Sequence, residues 1–283
     1  MASAQTLNGL SVKDSAGTIT VTPGAGGATL DLRGAGAALI SRTGLGVLNV
    51  TALAAGAAVK TANANVAGSL GGYITVGVTG TVGDWAKNDG AGNLVALAAG
   101  DYVTSAPSLA GPVANLRVDA TTDVSVSTNI NSLKLNVATG TGNLTFTAGT
   151  TLTIDTGGIL SANTANIGTV ANQGSITSGN GTDLIFHGAN NSTVNAVVAD
   201  NGATPIEITV SKSAGTLTLA AANIHSGPLT VHQGAVIASN ANALQNFQIQ
   251  AQATATSAAI PPPPPPSQAG FHSVAAICPT IAV

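Results

Sequence analysis

The chain has 283 residues, of which 7% are charged and 2% aromatic, and its formal net charge is −3. Ordinary globular proteins carry about 25% charged residues, and eight Lys and Arg spread singly leave no basic footprint for nucleic acid. A 44% hydrophobic share, rich in Thr-Val-Ile runs, argues against disorder.

Further exclusions follow. The absence of heptads and of amphipathic charge patterning argues against long helices. No apolar run approaches the roughly 20 residues of a membrane span. Met1 to Leu10 shows neither a basic n-region nor an apolar h-region, so no signal peptide is visible. The chain therefore reads as a cytosolic protein or as a fragment of a secreted one. Cys278 is the only cysteine, which rules out an intrachain disulfide.

Short strands punctuated by Gly, Asn and Asp run along the chain. Thr18 to Thr22 ends at Pro23-Gly24, and Ala28 to Leu32 ends at Arg33-Gly34. Val47 to Thr51, Tyr73 to Val78, Leu116 to Val118 and Val124 to Val126 follow. Then come Leu133 to Val137, Leu144 to Thr147, Leu152 to Ile154, Ser175 to Thr177, Asp183 to Phe186, Thr193 to Val198 and Ile206 to Val210. From Asn131 onward the spacing is too short for intervening helices. Regular short strands suit a sandwich, a barrel or a β-helix, and a thin core one or two side chains deep suits the small residues that dominate. Asn49 and Asn136, each in a Leu-Asn-Val unit, either stack on counterparts in the next coil or serve as turn residues.

The most specific stretch is Ser213 to Leu244. Thr216 to Leu219 and Leu229 to His232 flank a Gly-Pro turn, Ala235-Val236-Ile237 follows Gly234, and an Asn-Ala-Asn-Ala-Leu run closes the unit. This resembles the autotransporter-associated β-strand repeat, although His225 stands where an aromatic is usual and Pro228 where Gly or Thr is usual. Leu70 to Val76, Gly83 to Ala86 and Asn93 to Ala96 are similar to a segment found upstream of such repeats in very large surface proteins of environmental bacteria. Asn129 to Leu135, Ser178 to Phe186 and Val197 to Gly202 resemble further strands of the same proteins. The resemblance covers roughly Leu7 to Asn246.

The resemblance and the strand spacing together imply an all-β fold: a right-handed single-stranded parallel β-helix, or β-solenoid, with an irregular insertion and a Pro-rich C-terminal tail. The expected divisions are β-rich coils over 1–55, an Ala/Gly-rich inserted region over 56–112, a β-solenoid over 113–246 containing the repeat-like coil 213–244, and a linker and tail over 247–283. In the last, Pro261 to Pro266 forms a polyproline run that a sheet ladder cannot pass. Ser267 to Val283, without repeat character, reads as a native tail or as the product of a shifted reading frame.

Candidate chemistry is sparse. Arg117, Asp119, Thr121 and Asp123 alternate, as a lyase groove or a solvated strand face would. His187, His225, His232 and His272 show no zinc spacing; His225 and His232 flank one turn and read as surface residues. Gly181-Thr182-Asp183 is a lone fragment of a Ca²⁺-binding nonapeptide. Trp85 and Tyr73 read as local core plugs. No catalytic, cofactor-binding or metal residue is assigned and no cofactor is expected. The resemblance implies a non-catalytic structural or adhesive passenger segment of a secreted bacterial surface protein; the alternative is a carbohydrate-active β-helix enzyme of polysaccharide-lyase type. Expected partners are further copies meeting through solenoid ends and a host-cell, matrix or polysaccharide surface, with no nucleic acid and no membrane span.

Overall fold

The computed structural model describes residues 2–259 except 35–38, 52, 80–81, 106, 108–110, 112, 137–142, 180, 245–248 and 252–254. The fold is all-β, and among the described residues helix is limited to isolated turns such as the 3-10 turn Ala99–Asp101. Most strands pair in parallel, each with a strand one turn of the chain away rather than with its neighbour in sequence. The sheets therefore curl around a narrow interior.

Two stacks of coils result. In the first, Ser3–Thr6, Ala28–Asp31 and Ala57–Lys60 form one ladder. Leu10–Val12 pairs with Ile40–Arg42, and Ala16–Ile19, Val47–Val50 and Ile74–Thr79 form a third ladder. The winding then stops. Val82–Asn88 folds back antiparallel on Ile74–Thr79, and Leu94–Ala96 folds back on Val82–Asn88.

The second stack restarts at Tyr102–Val103, which pairs with Asn115–Val118. Its principal ladder continues through Ser132–Leu135, Gly158–Ser161, Asp183–Gly188, Glu207–Leu219 and Leu229–Ala238. A second run climbs beside it through Thr122–Val124, Asn143–Phe146, Ala165–Ile167 and Ser192–Val194. A third contains Thr128–Ile130, Thr151–Ile154, Ser175–Ser178 and Val197–Val198. One turn takes from about 13 residues, Tyr102 to Asn115, to about 27, Ile159 to Phe186. Strand register is held while the turns absorb the difference.

Parallel register stacks like positions into columns about 4.8 Å apart. One inward column runs Leu116, Leu133, Ile159, Phe186, Val210 and Val231, all at most 2% exposed. Burying each such side chain is worth about 1.5–3 kcal/mol. The two stacks keep separate cores: Val12, Leu32, Val50, Val59, Ile74 and Leu94 belong to the first.

Asparagines tie the coils together where strands end. In the repeat-like coil, Asn223 Oδ1 accepts from the Val198 backbone N–H at 2.9 Å, and its Nδ2 donates to the Ala243 carbonyl at 3.0 Å. Asn240 Nδ2 reaches the Ala220 carbonyl, and its Oδ1 accepts from the Asn242 backbone. The repeat's asparagines thus satisfy main-chain groups that no ladder reaches. Of the two candidate stacking positions, Asn49 sits between Thr18 and Thr75 in register and accepts from Thr75 Oγ1 at 3.1 Å. Asn136 lies at a strand end and donates to Asp119.

Several local readings are corrected. The stretch 56–112 carries more strand than its Ala/Gly content indicates, because Ala57–Lys60 completes a ladder and Val82–Asn88 forms the hairpin. Polar, Ala-rich residues after Phe247 still pair: Ile249–Ala251 and Ala255–Ala259 join Leu229–Ala238. Arg117 and Asp123 lie on different strands of different ladders, so the alternating quartet shares no face. Pro261 to Pro266, His272 and Cys278 lie outside the described residues.

Asn223→Ala leaves one N–H and one carbonyl without their partner inside the fold. It is expected to lower unfolding stability by about 1–3 kcal/mol in urea titration. Asn240→Ala, at a half-buried site, should cost less.

Candidate functional site

The outer face of the principal ladder is where polar chemistry collects. Alternation along a strand sends Arg117, Lys134, Leu160, His187 and Ser211 outward as one column, in register. On a lone sheet this column would face water. Instead the first stack covers much of it. Leu160 packs with Trp85, Leu97 and Tyr102 in a small separate core, and Trp85 meets the His187 ring edge-on at 5.5 Å between centroids. Gly158 makes this possible, since a Cβ there would come within 2.8 Å of the Trp85 ring and 2.6 Å of the Gly72 Cα.

Two ion pairs bridge the stacks. Asp183, 1% exposed, receives Arg42 Nη1 at 2.9 Å and Nη2 at 2.7 Å, and Thr209 Oγ1 donates to it at 2.7 Å. Arg42 Nε donates to the Gly46 carbonyl, and its guanidinium lies over the Tyr73 ring. Further along, Lys134 Nζ donates to Asp84 at 2.5 Å, and the Tyr102 hydroxyl also bonds Asp84. Burial and the adjacent carboxylate push the Tyr102 hydroxyl well above its usual pKa, so it stays a donor.

Two histidines, His187 and His232, belong to the same contact. His187 Nε2 donates to the Gly72 carbonyl at 3.0 Å, and His232 Nε2 donates to the Leu45 carbonyl at 2.9 Å. His225 bonds the Ile206 carbonyl through Nδ1. Reading His225 and His232 as surface residues is therefore wrong: they are 2% and 0% exposed. Burial lowers the pKa of all three imidazoles, His187 to about 4, which keeps them neutral donors. Trp85 is fully buried, whereas Tyr73 is partly buried beneath Arg42.

Where the stacks part, a cleft of about 250 Å³ opens. Thr18, Asn49 and Thr75 stack on one wall, and His187, Ser211 and Gln233 on the other. Every lining side chain is uncharged once His187 is neutral.

A second polar cluster is sealed inside the second stack. Lys212 points inward and is buried. Its Nζ donates to Ser192 Oγ at 3.1 Å, and the Ser192 and Ser161 hydroxyls are 2.6 Å apart. Burial lowers the Lys212 pKa to about 7. A neutral lysine beside a serine is a base–nucleophile arrangement, but both serines are only 1% exposed, so no substrate has a path to them.

The candidates named from sequence do not converge. Asp119 pairs with Arg117 and Asn136. Asp123 accepts from Thr145 and Thr147 on the neighbouring coil. Asp183 of the nonapeptide fragment is committed to Arg42. Among the described residues no three His, Cys, Asp or Glu side chains gather into a cation site. Sequence reasoning missed Arg42–Asp183, Lys134–Asp84 and Lys212–Ser192. The first two join residues far apart in the chain. The third had one usable signal, an inward-facing Lys in a strand otherwise alternating correctly.

These features define an all-β, parallel-coil chain whose polar groups mainly secure coil to coil and stack to stack. In sequence it is autotransporter passenger-like: it is 33% identical over 259 residues to the "Adhesin BmaC autotransporter" of Brucella suis biovar 1 (strain 1330), covering 86% of this chain. The chain spans 7% of the length of that relative. No family model and no solved structure matches it.

Arg42→Ala strands the buried Asp183 carboxylate and is expected to cost about 3–5 kcal/mol. Hydrogen exchange should then rise first in residues 40–50 and 183–188, and Arg42→Lys, lacking the two-pronged geometry, should not restore protection. Lys212→Met should act in the opposite direction. Between pH 10.5 and about 7 the unfolded chain binds a proton that folded Lys212 refuses, so stability is lost as pH falls through that window and the loss is complete below it. The Met variant should therefore melt higher at pH 7, by about 2–5 kcal/mol of added stability, with a flatter pH profile up to 10.5.

Proposed function

We propose that the chain is a non-catalytic structural and adhesive segment of a secreted bacterial surface protein, built as a right-handed single-stranded parallel β-helix. The observation that carries this reading is the long run of parallel ladders, coil over coil, in a chain similar along most of its length to part of an autotransporter adhesin. Each coil contacts mainly its neighbours, so the ladders make a stiff spacer, and the turns carry the exposed contact surface. Val66, Val113, Val170 and Ile224 are apolar side chains presented on such turns. The divisions 1–55, 56–112, 113–246 and 247–283 are kept as proposed units. Association of copies through coil ends, and contact with host-cell, matrix or polysaccharide surfaces, are proposed partners. No helix among the described residues is long and apolar enough to cross a membrane.

The lyase alternative gains no support from the geometry. Asp119 and Asp123 bond separate neighbours, and the Ser161–Ser192–Lys212 cluster is closed to substrate.

The test is attachment. Beads carrying the chain should bind matrix-coated or polysaccharide-coated surfaces several-fold more than beads carrying an unrelated protein of equal charge. Attachment no better than the control on every surface would remove the adhesive role. Release of sugar products from pectin or alginate, with or without Ca²⁺ and abolished by Asp119→Ala, would overturn the non-catalytic one.

A further inference from the structure

We propose that the cleft between the two stacks is a binding site for a neutral sugar residue. Its volume, about 250 Å³, falls just under the roughly 300–1,000 Å³ of sites for drug-sized ligands. That suits one saccharide ring and excludes a folded partner. The lining chemistry is specific in kind. Thr18, Thr51 and Ser213 offer hydroxyls, Gln233 offers an amide, and among the described residues no carboxylate, ammonium or guanidinium lines the space. A cationic or anionic ligand would enter without a counter-charge, which is costly in a partly closed site. A ligand with many hydroxyls, each both donor and acceptor, matches side chains that are themselves donors and acceptors.

Two structural features point the same way. The facing columns Thr18–Asn49–Thr75 and His187–Ser211–Gln233 repeat polar groups at the coil spacing of about 4.8 Å, so both walls present regularly placed partners. Asn49 is held in place by Thr75 Oγ1. On the opposite wall the ladder is irregular. Register shifts fall on either side of Ser211, where Gln233 rather than His232 becomes its partner. Such bulges re-aim side chains and favour functional positions. His232 turns into the contact between stacks, while Gln233 turns to the cleft. Within the described residues Ser211, Ser213 and Gln233 make no side-chain hydrogen bond. Their capacity is open to a ligand.

One wall supplies a clean test. Thr18 lines the cleft from an exposed position, in the column it shares with Asn49 and Thr75. Thr18→Trp should fill the space from the surface side and leave the core column of Leu48 and Ile74 untouched.

This inference gives the adhesive reading a ligand class and rests on that reading only for its surface setting. The experiment uses the purified full chain with no cells or coated surfaces, so the two can fail separately. Saturation-transfer NMR would be run with methyl glycosides of glucose, galactose and mannose, with N-acetylglucosamine, and with glucuronate as the charged comparison. At least one neutral sugar should receive saturation at concentrations up to about 20 mM, in keeping with a small site holding a few hydrogen bonds. Gln233→Ala should weaken that sugar roughly five-fold, the loss of about one hydrogen bond, and Thr18→Trp should abolish its signal with the melting temperature little changed. Asn129→Ala, remote from the cleft, should leave it intact. No transfer to any neutral sugar, transfer to glucuronate alone, or binding indifferent to both Gln233→Ala and Thr18→Trp would overturn the assignment.

Discussion

The contact between Arg42 and Asp183 is the constraint on which the arrangement of the molecule turns. A carboxylate 1% exposed cannot remain charged without a cation and further donors. Asp183 obtains both, a two-pronged guanidinium from the first stack and the Thr209 hydroxyl from the next coil of its own. Arg42 is fixed in turn by the Gly46 carbonyl and the Tyr73 ring. With that pair in place, His187 and His232 reach carbonyls at Gly72 and Leu45, Trp85 drops over Gly158, and a sheet that needed only one buried face has much of its second face covered as well.

The unusual composition follows from this architecture. Narrow interiors hold Leu, Ile and Val in single columns, and close approaches such as Gly72 to Gly158 admit no side chain at all. Charges are few, yet five of the eight Lys and Arg side chains pair with Asp. Two of those pairs join the stacks and three lie within a short stretch of chain. Low charge here does not describe a bland surface so much as a chain whose electrostatics are concentrated at internal joints. Neutral hydroxyls and amides supply the remaining cohesion, from Asn223 at the turns to the serines around Lys212.

Strand positions and the coil-over-coil character were legible because alternation and turn residues are local. The repeat-like unit was legible because its asparagines recur where main-chain groups lack ladder partners. What could not be read was lateral packing. Alternation tells which side of a strand faces out, not whether something lies against that side. His232 therefore read as a surface residue, and Arg42 gave no hint of a partner 141 residues away. Leu160 held the one visible clue: an apolar residue in an outward register between Lys134 and His187 requires a cover. The cleft shared this obscurity, since its walls come from segments that meet only after both stacks have formed.

The antiparallel hairpin at Val82–Asn88 has a consequence for how such chains grow. Within 115–238 every coil presents the same parallel edges above and below, so a coil can be duplicated or lost in evolution while its neighbours still find matching partners. The hairpin reverses chain direction and closes the first ladder against Leu94–Ala96. A coil inserted there would meet strands running the wrong way. Repeat expansion is thus barred at the hairpin and open only among the parallel coils on either side of it.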